Sequence, residues 1–149
     1  MRVVVQLVKS SKVETQGQIA GKIARGLNIL VGFTHEDTEK DIDNMLSKIL
    51  NLRIFTDEED KMNLSALDVG AELLIVSQFT LYADTNAGRR PSFIKALAYD
   101  KAELLYEKML QKAKLSGLSV QGGCYGASML VTIENDGPVT IILDSEKKS

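Results

Sequence analysis

The chain has one cysteine, one histidine, two prolines and no tryptophan among 149 residues. Each shortage removes a class of protein. A single cysteine, Cys124, excludes an internal disulfide and fits a reducing compartment, the cytoplasm. No motif surrounds it, so it reads as a small, partly buried side chain and not as a nucleophile. The one histidine, His35, precedes a helix in a loop and reads as a surface residue. No second histidine is present, and nothing else points to a Ser-His-Asp triad built on His35. No cluster of His, Cys and acids has metal-ligand spacing, and no glycine-rich phosphate loop follows a strand. No metal or cofactor is expected. The longest apolar runs, "LNILVGF" and "LLIV", are far too short to span a membrane. The N-terminal "MRVVVQLVK" lacks both the length and the small-residue site of a signal peptide. Positive charge is also scarce: 18 Lys and Arg against 20 Asp and Glu, a net charge of −2. That argues against coating nucleic acid, DNA above all, by bulk electrostatics. It leaves room for a local basic patch that holds one RNA end. Aromatic residues make up only 5%, which argues against base-stacking platforms.

What is present describes a soluble globular chain: 44% hydrophobic and 26% charged residues, enough for one domain with a real core over 1–149. Val3 to Val8 is rich in β-branched residues and predicts a strand. "KVETQGQIAGKI" predicts a hairpin centred on Gln16-Gly17. "LNILVGF" (27–33) predicts a strand apolar on both faces. "HEDTEKD" carries helix-start chemistry, with Thr38 or Asp37 as the cap. Ile42, Met45, Leu46, Ile49 and Leu50 then recur at helical spacing, to an end near Leu52. "LRIF" predicts a short strand, and "MNLSALDVG" a strand edge and a turn. "AELLIVSQFTLY" (71–82) is the strongest buried strand. A second helix is expected over 101–116, with Gly117 as its stop. Along 127–134, alternation of Ala127, Met129, Val131 and Ile133 predicts a strand with one buried face. "NDGPVT" (135–140) then reads as a turn into a last strand, "VTIILDS". The total is two main helices and seven or eight strands. The fold class is α/β, one compact domain with a mixed, curved sheet.

Three stretches look unusual for scaffold. In "SQFTLY" (77–82), a serine, a glutamine and a threonine end a buried apolar run. They are either satisfied by backbone or placed to meet a ligand. "GRRPSF" (88–93) pairs Arg89 and Arg90 beside an aromatic, which can contact phosphate or stack on bases. A plain surface loop explains it equally well. "NDGPVT" holds four turn-formers, and a turn is its simplest explanation.

Together, these stretches resemble the D-aminoacyl-tRNA deacylases, which hydrolyse D-amino acids from mischarged tRNA. The resemblance runs nearly end to end: "KILNLRIF", "KMNLS", "SQFTLYAD", "GRRPSF", "YGASM" and "NDGPVTIILDS". It implies a barrel-like α/β domain acting as a homodimer on the 3′ end of aminoacyl-tRNA. It implies a cis Gly137-Pro138 bond whose loop enters the partner's site as a chiral selector. It further implies that Ser77, Gln78, Phe79 and Thr80 form the pocket floor, and that Tyr125, Ala127 and Met129 line the adenosine site. Phe79 and Thr80 are the expected catalytic positions. Arg89, Arg90 and Lys95 are the candidates for tRNA phosphates, ahead of Lys9, Lys12 and Arg25. One position departs from the family: Leu7 in "VVVQLV" stands where an arginine usually helps to hold the Gly-Pro loop. Arg2 and Lys9 are the cations nearest to it in sequence.

The absent catalysts suit this reading. An aminoacyl ester is already activated, so water needs orientation and charge stabilisation more than a strong nucleophile. Amides near Phe79 and Thr80 are candidates for holding the developing oxyanion. The Thr80 hydroxyl is expected to donate a hydrogen bond, because no base is evident to activate it. A main-chain wall beside the α-carbon can refuse one hand whatever the side chain. Glycyl-tRNA should pass such a wall. The competing readings are a nucleic-acid-binding dimer without catalysis and a purely structural dimer.

Overall fold

A computed structural model describes residues 1–146. The elements follow the chain as β1 (Arg2–Thr15), β2 (Gln18–Ile23), β3 (Gly26–Gly32), α1 (Glu39–Asn51), β4 (Phe55–Thr56), β5 (Met62–Leu64), α2 (Ala66–Val69) and β6 (Glu72–Ser77). A 3-10 turn (Phe79–Tyr82), α3 (Tyr99–Lys114), β7 (Val120–Gly122) and β8 (Leu130–Asp144) complete them. The two long helices and eight strands match expectation; the four-residue α2 is an addition. Ser65 caps α2 by accepting from the Asp68 amide, and Gly70 ends it in the left-handed region.

One sheet organises the molecule. Its strand order is β2-β1-β3-β6-β7, with β8 on the other edge of β1, and β4-β5 form a separate pair. β3, β6 and β7 run parallel, and β1 pairs antiparallel with β2, β3 and β8. β1 is far longer than the Val3–Val8 strand that its β-branched residues announce. Its polar second half, "KSSKVET", is paired on both edges, by β2 and β8. Ser11 is consequently buried and donates to Asn28 Oδ1 at 2.7 Å. That long, bent strand brings β2 back over the sheet until a Cβ on Gly21 would lie 2.5 Å from the Gly122 carbonyl oxygen. The sheet is therefore nearly closed, like a barrel.

The main core lies under the helices. Val3, Val5, Leu27, Ile29, Leu73 and Ile75 face Ile42, Met45 and Ile49 of α1 and Ala102, Tyr106 and Met109 of α3. α1 starts where its cap residues indicate: the Thr38 amide donates to Asp41 Oδ2 at 2.8 Å. On the opposite face, Val8, Val13, Ile23, Leu74 and Val76 form a smaller cluster inside the curl.

Four local expectations are corrected. The apolar run from Ala71 is not a strand to Tyr82: it leaves the sheet at Gln78, whose amide bonds the Val31 carbonyl, and coils into the 3-10 turn. "LRIF" contributes only Phe55 to a strand, because the pairing available to it is the short one with Met62–Leu64. Ala127 lies in an exposed turn, and the strand begins at Leu130. "NDGPVT" does not join two strands. β8 is one strand with an excursion in it: Gln6 faces Thr140 and Val8 faces Asn135. Leu7 alone thus stands opposite Asp136, Gly137, Pro138 and Val139, a large β-bulge that lets the chain continue in its original direction. The Gly137-Pro138 peptide is cis.

Candidate active site

The three parallel strands deliver their carboxyl ends to one place, where ligands bind in open α/β sheets. There a cavity of about 160 Å³ opens. β3 supplies Val31 and Gly32, followed by Phe33. β6 ends with Ser77, and Gln78 and Phe79 follow it into the wall. Leu97, Tyr99 and Ala102 come from the start of α3, and Tyr125 and Gly126 from the turn after β7. The lining is mostly apolar and aromatic with polar groups at one edge, the usual composition of a small-ligand pocket.

Two glycines make the cavity possible. A Cβ on Gly126 would lie 2.0 Å from the Tyr99 hydroxyl, and its φ of +77° is one that L side chains rarely adopt. A Cβ on Gly32 would lie 2.8 Å from the Gln78 carbonyl oxygen. The aromatic wall is itself braced. Tyr125 packs edge-on against Tyr99 at 4.9 Å between centroids and donates its hydroxyl to the Tyr99 carbonyl at 3.0 Å. Below it, Tyr106 donates to the Ile75 carbonyl at 2.6 Å and accepts from the Gly123 amide at 3.0 Å. Burial raises the pKa of both Tyr106 and Tyr125, so both hydroxyls stay protonated at neutral pH. Among the described residues, no carboxylate, lysine or histidine lines this cavity.

At the mouth, Phe79 is exposed and packs edge-on against Phe93 at 5.0 Å. Phe79 and Thr80 open the 3-10 turn, so their amides have no partner within it. Among the described residues, neither amide donates to another protein group. The exposed Thr80 hydroxyl accepts from Gln78 Nε2.

Of the residues singled out in the sequence, the structure thus brings Ser77, Gln78, Phe79 and Tyr125 to one cavity, with Thr80 beside its mouth. Ala127 and Met129 lie outside that lining. Met129 packs instead on the smaller core near Gly123 and Val13. Gly137 and Pro138 are exposed and line a different cleft, of about 480 Å³, together with Leu7, Arg25, Phe55 and Asp136. Arg2 is engaged well away from them: it pairs with Asp144 at 3.1 Å and donates to the Leu81 carbonyl at 2.7 Å. Arg89 and Arg90 are exposed, and Lys95 lies 3.6 Å from Asp84. His35 is exposed, as expected, and contacts the Ile94 carbonyl at 2.7 Å. Cys124 is exposed rather than partly buried. Tyr99, Phe33, Leu97 and Gly126 were not singled out. The available signal was glycine at the strand ends: Gly32-Phe33 after β3, and Gly122-Gly123 with Gly126 after β7.

Comparisons with known sequences and folds identify the family. The family model described as D-Tyr-tRNA(Tyr) deacylase matches residues 4–144. A protein of Clostridium kluyveri described as D-aminoacyl-tRNA deacylase is 60% identical over 147 residues, 99% of each chain. One of Clostridium tetani with the same description is 58% identical over the same span. A solved structure described as c-Myc DNA unwinding element binding protein has a TM-score of 0.92 at 40% identity, covering 99% of this chain and 100% of its own. Another, described as a probable eukaryotic D-amino acid tRNA deacylase, has a TM-score of 0.83 at 18% identity, over 95% and 97% of the two chains, and shows the shared fold. The chain belongs to the D-aminoacyl-tRNA deacylase family and is a hydrolase.

Proposed function

We propose that this protein is a cytoplasmic homodimer that hydrolyses the ester of D-aminoacyl-tRNA, releasing the D-amino acid and free tRNA. The observation that carries the reading is the aromatic cavity at the carboxyl ends of β3, β6 and β7, with two unpaired amides at its mouth. In this mechanism the terminal adenosine enters the slot between Phe79, Tyr99 and Tyr125. The ester carbonyl then lies over the Phe79 and Thr80 amides, which hold its developing oxyanion. Water attacks the carbonyl carbon, and the ribose hydroxyl leaves. The adjacent 2′-hydroxyl helps to place the water.

Selection falls to the Gly137-Pro138 tip. In one protomer it lines a separate cleft and not the adenosine cavity. It is exposed, so it is available to enter a partner's site. There its main chain would form a wall on the side of the α-carbon where an L-substituent projects. The test is ester loss from matched D-, L- and glycyl-tRNA. D-esters should be cleaved well, L-esters spared, and glycyl-tRNA cleaved, since glycine has no substituent to meet the wall. Binding without hydrolysis would favour a non-catalytic nucleic-acid-binding dimer instead. Resistance of glycyl-tRNA would show that more than this wall discriminates.

Few phosphates should be contacted, given a net charge of −2. Arg89, Arg90 and Lys95 remain the candidates, because Phe93 of the same segment packs on Phe79 at the mouth. With about 0.7–0.9 counterions released per phosphate, the log–log salt slope of tRNA binding should lie near −2 to −3. Arg89→Ala should make it shallower by about 1 unit. A slope far steeper than that requires a basic surface elsewhere.

A further inference from the structure

The Gly-Pro excursion poses a structural problem. Four residues leave the ladder opposite Leu7, and the tip residues Asp136, Gly137 and Pro138 are all exposed. A wall that discriminates must nevertheless hold still. The Leu7 side chain packs on the main core and offers no polar group to the loop. Arg2 is committed to Asp144 and Leu81.

What closes the neck is Asn135. Its amide nitrogen faces the carbonyl of Val139, 3.2 Å away on the far side of the excursion, and that of Leu7, 3.1 Å away on β1. Its oxygen accepts from the Thr140 hydroxyl at 2.8 Å. The opposite assignment would aim the amide oxygen at two carbonyl oxygens, so the hydrogen bonds fix the orientation. Both carbonyls sit where the bulge interrupts the ladder, and Asn135 gives each a donor. Only a carboxamide offers two N–H donors and an acceptor on one plane. An aspartate of the same shape would set a carboxylate against two carbonyl dipoles.

We infer that Asn135 is a positioning residue that clamps the neck of the Gly137-Pro138 loop and so sets stereochemical selectivity, with β1 contributing the Leu7 carbonyl instead of a side chain. This rests on the selector role proposed above. The test measures the ratio of D- to L-aminoacyl-tRNA hydrolysis in Asn135→Asp, Thr140→Val, Leu7→Ala and Gly137→Ala. Order parameters of the Gly137 and Val139 amides are read in parallel by NMR. Losing bonds from the neck in Asn135→Asp should lower the ratio by about tenfold, through faster L-hydrolysis, and lower both order parameters. Thr140→Val should shift both in the same direction by less, and it carries the test if Asn135→Asp does not fold. Leu7→Ala keeps the carbonyl and should move the ratio less than about twofold. A wild-type ratio and rigid amides in a folded Asn135→Asp protein, with Gly137→Ala unselective, would overturn the clamp alone. A wild-type ratio in Gly137→Ala would overturn the selector reading and the clamp's role with it. A loss in Leu7→Ala equal to that in Asn135→Asp would assign the job to apolar packing and overturn the clamp.

Discussion

A mixed dimer of an Ala102→Phe subunit and a Gly137→Ala subunit should hydrolyse D-aminoacyl-tRNA at about half the wild-type rate and keep wild-type selectivity. Each substitution alone is damaging. Ala102 is buried in the floor of a cavity of only about 160 Å³, and a phenyl ring there fills it. The Ala102→Phe homodimer should lose activity by more than about 100-fold, because a filled slot cannot bind. Gly137 has a φ of +110°, and an added Cβ would meet Val139 Cγ2 at 2.8 Å. Alanine there must re-route the tip. The Gly137→Ala homodimer should stay active but lose roughly 100-fold in discrimination, a size typical of one well-placed pocket contact. If the tip of one subunit guards the cavity of the other, the mixed dimer contains one composite site with both lesions and one with neither. The intact site gives selective turnover. If the tip guarded its own subunit's cavity, the only open cavity would carry the altered tip, and turnover would be unselective. The measurement is the D-to-L ratio of affinity-purified mixed dimers, and an unselective result rejects action across the dimer.

This trans arrangement has a physical basis in one chain. The tip is borne by β8, which pairs with the edge of β1. The cavity lies at the carboxyl ends of β3 and β6, on the other side of β1 in the strand order. Leu130 and Ile142 stand exposed on that same edge strand, at 64% and 70%. A strand with unpaired backbone and exposed apolar side chains is a natural face for a second copy.

Much of this was legible in the sequence, for identifiable reasons. α1 was readable because its cap chemistry and its apolar stripe agree. β6 was readable until Val76, where apolar content stopped being informative. Ser77 to Tyr82 still looks strand-like, yet the backbone turns because Gln78 bonds back to Val31. That contact lies 47 positions away in sequence and leaves no local trace. The hairpin at Gln16-Gly17 forms as its turn residues indicate, but its union with Val3–Val8 into one strand through Lys9–Ser11 is not legible, because Ser10 and Ser11 are satisfied by β8 and Asn28, both distant in sequence. "NDGPVT" was misread as a turn for a related reason: its composition specifies a departure from the strand but not a return to the same line. Ser77, Gln78, Phe79 and Tyr125 converge through the parallel pairing of β6 and β7, which spacing does not reveal.

Removing the backbone donors at the cavity mouth should cost far more than removing the threonine hydroxyl. Replacing Phe79 or Thr80 by its α-hydroxy acid turns that N–H into an ester oxygen and leaves the side chain intact. Each replacement should lower kcat by about 10²–10³, the usual loss for one oxyanion donor. KM should change little, because the bond strengthens only as charge develops on the substrate oxygen. Thr80→Ala should lower kcat by roughly fivefold, the worth of one ordinary hydrogen bond. The hydroxyl already accepts from Gln78 Nε2, and among the described residues no acid, lysine or histidine lines the neighbouring cavity to take its proton. Gln78→Ala should act in the same direction by freeing that hydroxyl to rotate. Single-turnover rates with D-aminoacyl-tRNA, alongside tRNA affinity, distinguish the two accounts. A Thr80→Ala protein that binds tRNA normally but loses more than about 10³ in rate would make Thr80 the nucleophile. Near-normal rates in both ester variants would remove the backbone oxyanion hole.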